Sequence, residues 1–223
     1  MEAKQGMNKR NVVVAIDPGS FESGVVILTD GAITHAGTSS NEEIIPLIRG
    51  YLGVKFKLRV VIEDIRPYYS MKVSTDLFDT CKYIGELKYR LNAARIAFEL
   101  VSRSEIKGWA YSAYKSQIEP LILKKMAKAG KHLNNDGSER ESSMVWIDDQ
   151  IIIAAMRFEW SIPAERGRSN AFGLSSHSWQ ALAIGTLYLK GYMPVIIKNR
   201  KEREVRRQKI KAAKKKKKIG QAA

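Results

Sequence analysis

The chain has 223 residues, room for one ordinary domain and a tail, and its 44% apolar and 27% charged content is that of a globular protein. A single cysteine, Cys81, excludes an internal disulfide framework and any cysteine-cluster metal site. No apolar run reaches the 18 residues of a membrane span, and the polar first ten residues lack the apolar stretch of a secretory leader. A soluble intracellular protein is expected, cytoplasmic, or nuclear in a eukaryote. The net charge of +15 points to a polyanionic partner, but it is uneven: residues 198–218 hold 13 Lys/Arg against 2 Asp/Glu. That leaves only +4 for the remainder.

In chain order, residues 11–16 (NVVVAI) predict a strand buried on both faces, closed by the turn Asp17-Pro18-Gly19-Ser20. Strands follow at 24–28 and 32–38, separated by the hairpin signal Asp30-Gly31. Asn41 is expected to cap a helix reaching about Leu52, with Glu42 and Glu43 in its first turn. A second core strand at 59–65 (RVVIEDI) ends in Arg66-Pro67; a helix at 76–97 and a third core strand at 98–101 come next. Cys81 lies in that helix and reads as a small buried hydrophobe. Ser104 begins a short helix, residues 130–143 form an exposed polar loop, and 143–158 are helical. Residues 161–173 are irregular, and a last amphipathic helix at 175–189 is closed by Gly191 and Pro194. The pattern predicts an α/β fold: a mixed sheet of three early antiparallel strands and later parallel ones, flanked by helices. It divides into a domain at 1–197, with an insertion at about 119–170, and a basic tail at 198–223, disordered when free.

Two acids stand out by position. Asp17 ends one apolar strand, and Glu63 lies inside another, where a carboxylate is costly unless paired, hydrogen-bonded or bound to a cation. If the strands are neighbours, both acids emerge at one edge of the sheet, a donor set suited to Mg²⁺ with waters and a phosphate. The plain alternative has Asp17 capping a turn and Glu63 paired with Arg66. His177 starts the last helix and shares a face with Gln180, three residues on.

Four stretches together resemble the RuvC family of Holliday junction resolvases, of the ribonuclease H-like superfamily, and especially its diverged phage members. AIDPGSFESGVVIL resembles the opening hairpin with its Asp-Pro-Gly turn, and VVIEDIRPYYS the strand with the second acid. SEIKGWAYSAYKSQIEPLI is similar to a segment whose two lysines, here Lys107 and Lys115, meet DNA. HSWQALAIGTLYL resembles the closing helix, although Gln180 stands where that pattern has a fourth acid. The resemblance spans residues 12–189 and implies a ribonuclease H-like five-stranded sheet. It implies a Mg²⁺-dependent endonuclease, with Mn²⁺ as a possible substitute, that nicks four-way or branched DNA symmetrically and leaves 5′-phosphates. Asp17, Glu63 and His177 would be catalytic, and with Gln180 would form the metal site. Lys107, Lys115 and Arg66 would reach phosphates, and Tyr68 or Tyr69 would stack on an opened base. Trp109 and Trp146 read as core or dimer contacts, and a two-fold symmetric junction implies a homodimer.

Gln180 leaves three readings open: the site works without a fourth acid, Asp148 or Asp149 replaces it, or cleavage is weakened or lost and the chain is a junction-binding protein. A flap or other branched-DNA nuclease is a further possibility. The opening motif also loosely fits sugar kinases and actin-like ATPases, but the chain lacks their second domain and its phosphate loop.

Overall fold

A computed structural model of the chain describes residues 9–53, 55–65, 74–130, 147–163, 174 and 176–220. Strands β1 (Arg10–Asp17), β2 (Glu22–Thr29), β3 (Ala32–Ser40), β4 (Phe56–Asp64) and β5 (Phe98–Ser102) form one sheet in the order β3-β2-β1-β4-β5. β1–β2 and β2–β3 are antiparallel, whereas β1–β4 and β4–β5 are parallel. This is the mixed five-stranded sheet, three antiparallel strands followed by parallel ones, expected from the sequence. The Asp-Gly signal is realised as a hairpin turn, with Asp30 at φ 51° and Gly31 at φ 86°, a left-handed pair that matches the twist of the flanking strands. The Asp30 carboxylate pins it by accepting from the Asn11 N–H at 2.8 Å and from Arg10 Nε at 2.9 Å.

Alternation along the strands sorts side chains to two faces. Val12, Val14 and Ile16 of β1, Val25 and Ile27 of β2, and Val60 and Ile62 of β4 share one core. It is completed by Ile44, Ile45 and Ile48 of α1 (Ile44–Arg49) and Leu87 and Leu91 of α2 (Thr75–Ala93). The opposite face carries Val13 and Ala15, and α5 (Ser176–Leu189) lies across it on β1, β2 and β4. Gly185 of α5 sits directly over Ala15 and Leu28. Asp17 and Glu63 are in phase with Val13, Ala15 and Val61, so both belong to the α5 face.

Several local expectations change. Asn41 does not cap α1, which starts after Glu43; its side chain instead holds the β1–β2 turn, donating to the carbonyls of Gly19 (3.1 Å) and Ser20 (3.2 Å) and accepting from Ser23 Oγ (2.7 Å). Cys81 is exposed, because the buried stripe of α2 is Thr80, Ile84, Leu87 and Leu91 and position 81 falls one residue off it. The short helix at Ser104 is the start of α3 (Arg103–Lys128), 26 residues long and broken at Tyr114. Trp109 is buried in it, as expected of a core residue. α4 (Asp149–Glu159) begins later than expected, capped by Asp148 Oδ1, which accepts from the Ile151 N–H at 3.1 Å. Trp146 and most of the expected loops at 130–143 and 161–173 lie outside the described residues.

Residues 190–223 form a unit of their own, apart from 1–189. It contains a 28-residue helix, α6 (Met193–Gly220), which takes in most of the basic stretch that begins at 198. Lys, Arg, Glu and Ala are good helix formers, and Lys198 and Glu202 pair one turn apart at 4.0 Å. Among the described residues no helix is long and apolar enough to cross a membrane.

Candidate functional site

Parallel pairing of β1 with β4 brings the two acids together. The register runs to Ile16↔Ile62, so Asp17 and Glu63 occupy the next position on adjacent strands. Both are almost fully buried.

The start of α5 reaches them because β2 has a glycine there. Gly24 pairs with Asp17 across the antiparallel ladder. A Cβ at Gly24 would lie 2.3 Å from the carbonyl carbon and oxygen of His177 and 2.7 Å from the Ser178 nitrogen. The missing side chain lets the helix backbone settle on the strand, which sets His177 Nδ1 2.9 Å from Asp17 Oδ2. With the carboxylate ionised, His177 Nδ1–H donates. That bond raises the imidazole pKa against an opposing effect of burial. It also leaves Nε2 as the ring atom able to accept a proton.

Glu63 is paired with Arg103; the alternative partner Arg66 lies outside the described residues. Arg103 Nη1 donates to Glu63 Oε2 at 3.1 Å, and Nη2 bonds Asp149 Oδ1. β5 pairs Glu63 with Val101, so the first residue of α3 falls just beyond the carboxylate. The guanidinium only partly offsets its surroundings. Burial first, then the charge of Asp17, push the Glu63 carboxyl up to about 8. Without a cation, a proton on Glu63 offsets the repulsion between the two acids.

This has a consequence for stability. A carboxyl whose pKa is raised from 4.5 to about 8 on folding favours the fold only while protonated. Its contribution is complete below 4.5 and is lost as pH climbs through about 8. Thermal melts in chelator are expected to show Tm falling across that window, with a shallower slope in Glu63→Gln; equal slopes would refute the assignment.

Asp17, Pro18, Glu63, Ile65, Arg103, Asp149, His177 and Gln180 line one cleft of about 390 Å³. Gln180 is 2% exposed, and neither its amide oxygen nor its nitrogen has a partner among the described residues. An unpaired buried amide costs about 1–3 kcal/mol. Gln180→Met is accordingly expected to raise the Tm of the metal-free protein, at ~2–4 °C per kcal/mol for a domain of this size. An unchanged or lower Tm would mean that the amide is satisfied.

The donor set fits a hard divalent cation. Two adjacent carboxylates need a positive charge between them or a shared proton, and the Gln180 oxygen is an orphaned acceptor in the same cleft. Among the described residues no three His, Cys, Asp or Glu side chains already stand in metal-holding geometry. Mg²⁺ does not require that, since it is commonly held by one or two carboxylates, waters and a substrate phosphate. Of the two candidate replacements for a fourth acid, Asp148 is used as a helix cap and bonds Lys125, whereas Asp149 lines the cleft but is tied to Arg103.

Lys107 is half-buried one turn along α3 from Arg103, and desolvation lowers its pKa, followed by the charge of Arg103. Lys115 is exposed, beyond the break at Tyr114, with its ammonium 5.6 Å from the Tyr111 ring and 3.9 Å from Glu119. Arg66, Tyr68 and Tyr69 lie outside the described residues. Three contributors escaped sequence reasoning: Arg103, Gly24 and Asn41. Only Gly24 had a signal, a glycine where a buried strand begins.

No family model matches the chain, and no curated protein matches it. Among solved structures it is similar to T. thermophilus RuvC in complex with Holliday junction substrate, at 10% identity over 78% of this chain and 89% of that one, with a TM-score of 0.43. It is also similar to a Thermus thermophilus RuvC structure, at 14% identity over 78% and 90%, with a TM-score of 0.39. A third is the yeast mitochondrial Holliday junction resolvase Ydc2, at 10% identity over 86% and 89%, with a TM-score of 0.31.

Proposed function

We propose that the chain is a metal-dependent endonuclease that cuts four-way or branched DNA by paired nicks, leaving 5′-phosphate ends. The observation that carries this is the buried Asp17–Glu63 pair, meeting on adjacent parallel strands in a cleft shared with His177 and Gln180. Asp17 and Glu63 would hold Mg²⁺ or Mn²⁺, with the Gln180 oxygen beside them. Such ions supply charge to the scissile phosphate and acidify water. His177, anchored through Nδ1, is set to take a proton at Nε2 from the attacking water. Lys107 and Lys115 would bind phosphates on either side of the break in α3, each adding about 0.9 to the log–log salt slope. The basic helix α6 would add sequence-independent affinity by counterion release. Two symmetric cuts need two sites related by a two-fold axis, hence a homodimer.

A second reading keeps the binding and drops the cleavage. It draws on the uncharged Gln180 and on Arg103, which already neutralises part of Glu63. Labelled four-way junction and linear duplex, each incubated with Mg²⁺ and with chelator, separate the two. Cutting of the junction alone, lost in chelator, supports the nuclease. Tight junction binding without cutting in Mg²⁺ or Mn²⁺ supports the binding protein.

A further inference from the structure

Arg103 spans two acids of unlike exposure, with Glu63 9% and Asp149 60% exposed by side chain, and itself 34% exposed. It enters from the β5–α3 junction, while Asp149 enters from α4, whose first turn is held by Asp148 through Ile151 and Lys125. The guanidinium stays charged under all working conditions, so it is a permanent cation beside the carboxylate pair. One of its nitrogens is on the inner acid and another on the outer one.

We propose that Arg103 competes with the metal ion for Glu63, and that Asp149 is the outer anchor that draws Arg103 away when the metal enters. The inference rests on the metal-site reading above. A divalent ion at Asp17 and Glu63 competes for the Glu63 oxygen that Arg103 now bonds, and it repels the guanidinium. Asp149 already holds the far side of that group, so Arg103 can leave Glu63 without losing all of its counter-charge. In the withdrawn position it lies at the open rim of the cleft, where the phosphate backbone must pass. Arg103 is thus a positioning residue that exchanges a carboxylate for a phosphate as the site loads.

The two partners should therefore act on metal affinity in opposite directions. Removing the competitor, in Arg103→Gln, is expected to tighten Mg²⁺ and Mn²⁺ binding by about tenfold or more, the scale of one charge-assisted hydrogen bond. Removing the anchor, in Asp149→Asn, leaves Arg103 on Glu63 and is expected to weaken binding by a similar factor. The double variant should bind as Arg103→Gln does, because the anchor has nothing left to draw. Titration calorimetry with MgCl₂ and MnCl₂ on the full chain, without DNA, measures all four proteins. Should Arg103→Gln not fold, Arg103→Met keeps the apolar stem of the side chain and asks the same question. Variants that bind like the wild type, or that shift in the same direction, overturn the proposal and leave the metal site intact. A wild-type chain that takes up neither ion overturns the metal site and this proposal with it.

Discussion

Replacing Asp17 with asparagine will abolish junction cleavage, by ~10³-fold or more, while the junction stays bound. The carboxylate is the shared point of the site: it accepts from His177 at 2.9 Å and faces Glu63 across β1 and β4. Asparagine keeps the shape but removes the charge that holds a divalent ion, which supplies several kcal/mol of transition-state stabilisation. At 1.36 kcal/mol per tenfold, about 4 kcal/mol corresponds to that loss. In chelator, where Glu63 already carries a proton, the substitution relieves no repulsion and removes the charged acceptor of the His177 bond, so the variant should melt no higher than wild type. Single-turnover cleavage, gel binding and a thermal melt test the three statements together. Cleavage at the wild-type rate would remove Asp17 from the chemistry.

Gly24→Ala is expected to be strongly damaging for so small a change. The added methyl would sit 2.3 Å from the backbone of His177, and backbone cannot rotate away as a side chain can. Overpacking of a well-filled interior costs about 1–3 kcal/mol, and this contact belongs at the upper end. At ~2–4 °C per kcal/mol, a Tm loss of roughly 6–12 °C follows. Activity should fall further than stability, because relief comes from lifting the first turn of α5, which takes His177 off Asp17 and Gln180 out of the cleft. Gly185→Ala is the control. Its nearest neighbour would be the flexible tip of Leu28 at 2.8 Å, and the residue lies far along α5 from the site. Equal effects of the two substitutions on cleavage at a temperature where both are folded would contradict this account.

Strand positions were legible because each strand is a run of β-branched residues ended by turn chemistry that admits little else, as at Asp17-Pro18-Gly19 and Asp30-Gly31. The acids were legible for the same reason, since a carboxylate inside VVIED has few inexpensive explanations. Partners brought from a distance were not. A guanidinium on Glu63 comes from Arg103, forty residues on, through the parallel placement of β5. Asn41 looked like a cap because it stands before a helix; its side chain's three hydrogen bonds go to the β1–β2 turn and to Ser23 just beyond it, which only the hairpin fold brings alongside. Cys81 was misjudged by one position of helical phase.

The central claim is that the Asp17–Glu63 cleft cuts branched DNA. Its most direct test is to map the cuts on a four-way junction incubated with Mg²⁺ and then to offer the products to DNA ligase. Paired nicks at symmetric positions on opposing strands, sealable by ligase and absent with chelator, are the predicted result. Intact strands in both Mg²⁺ and Mn²⁺ despite tight binding, or equal cutting of linear duplex, would contradict it.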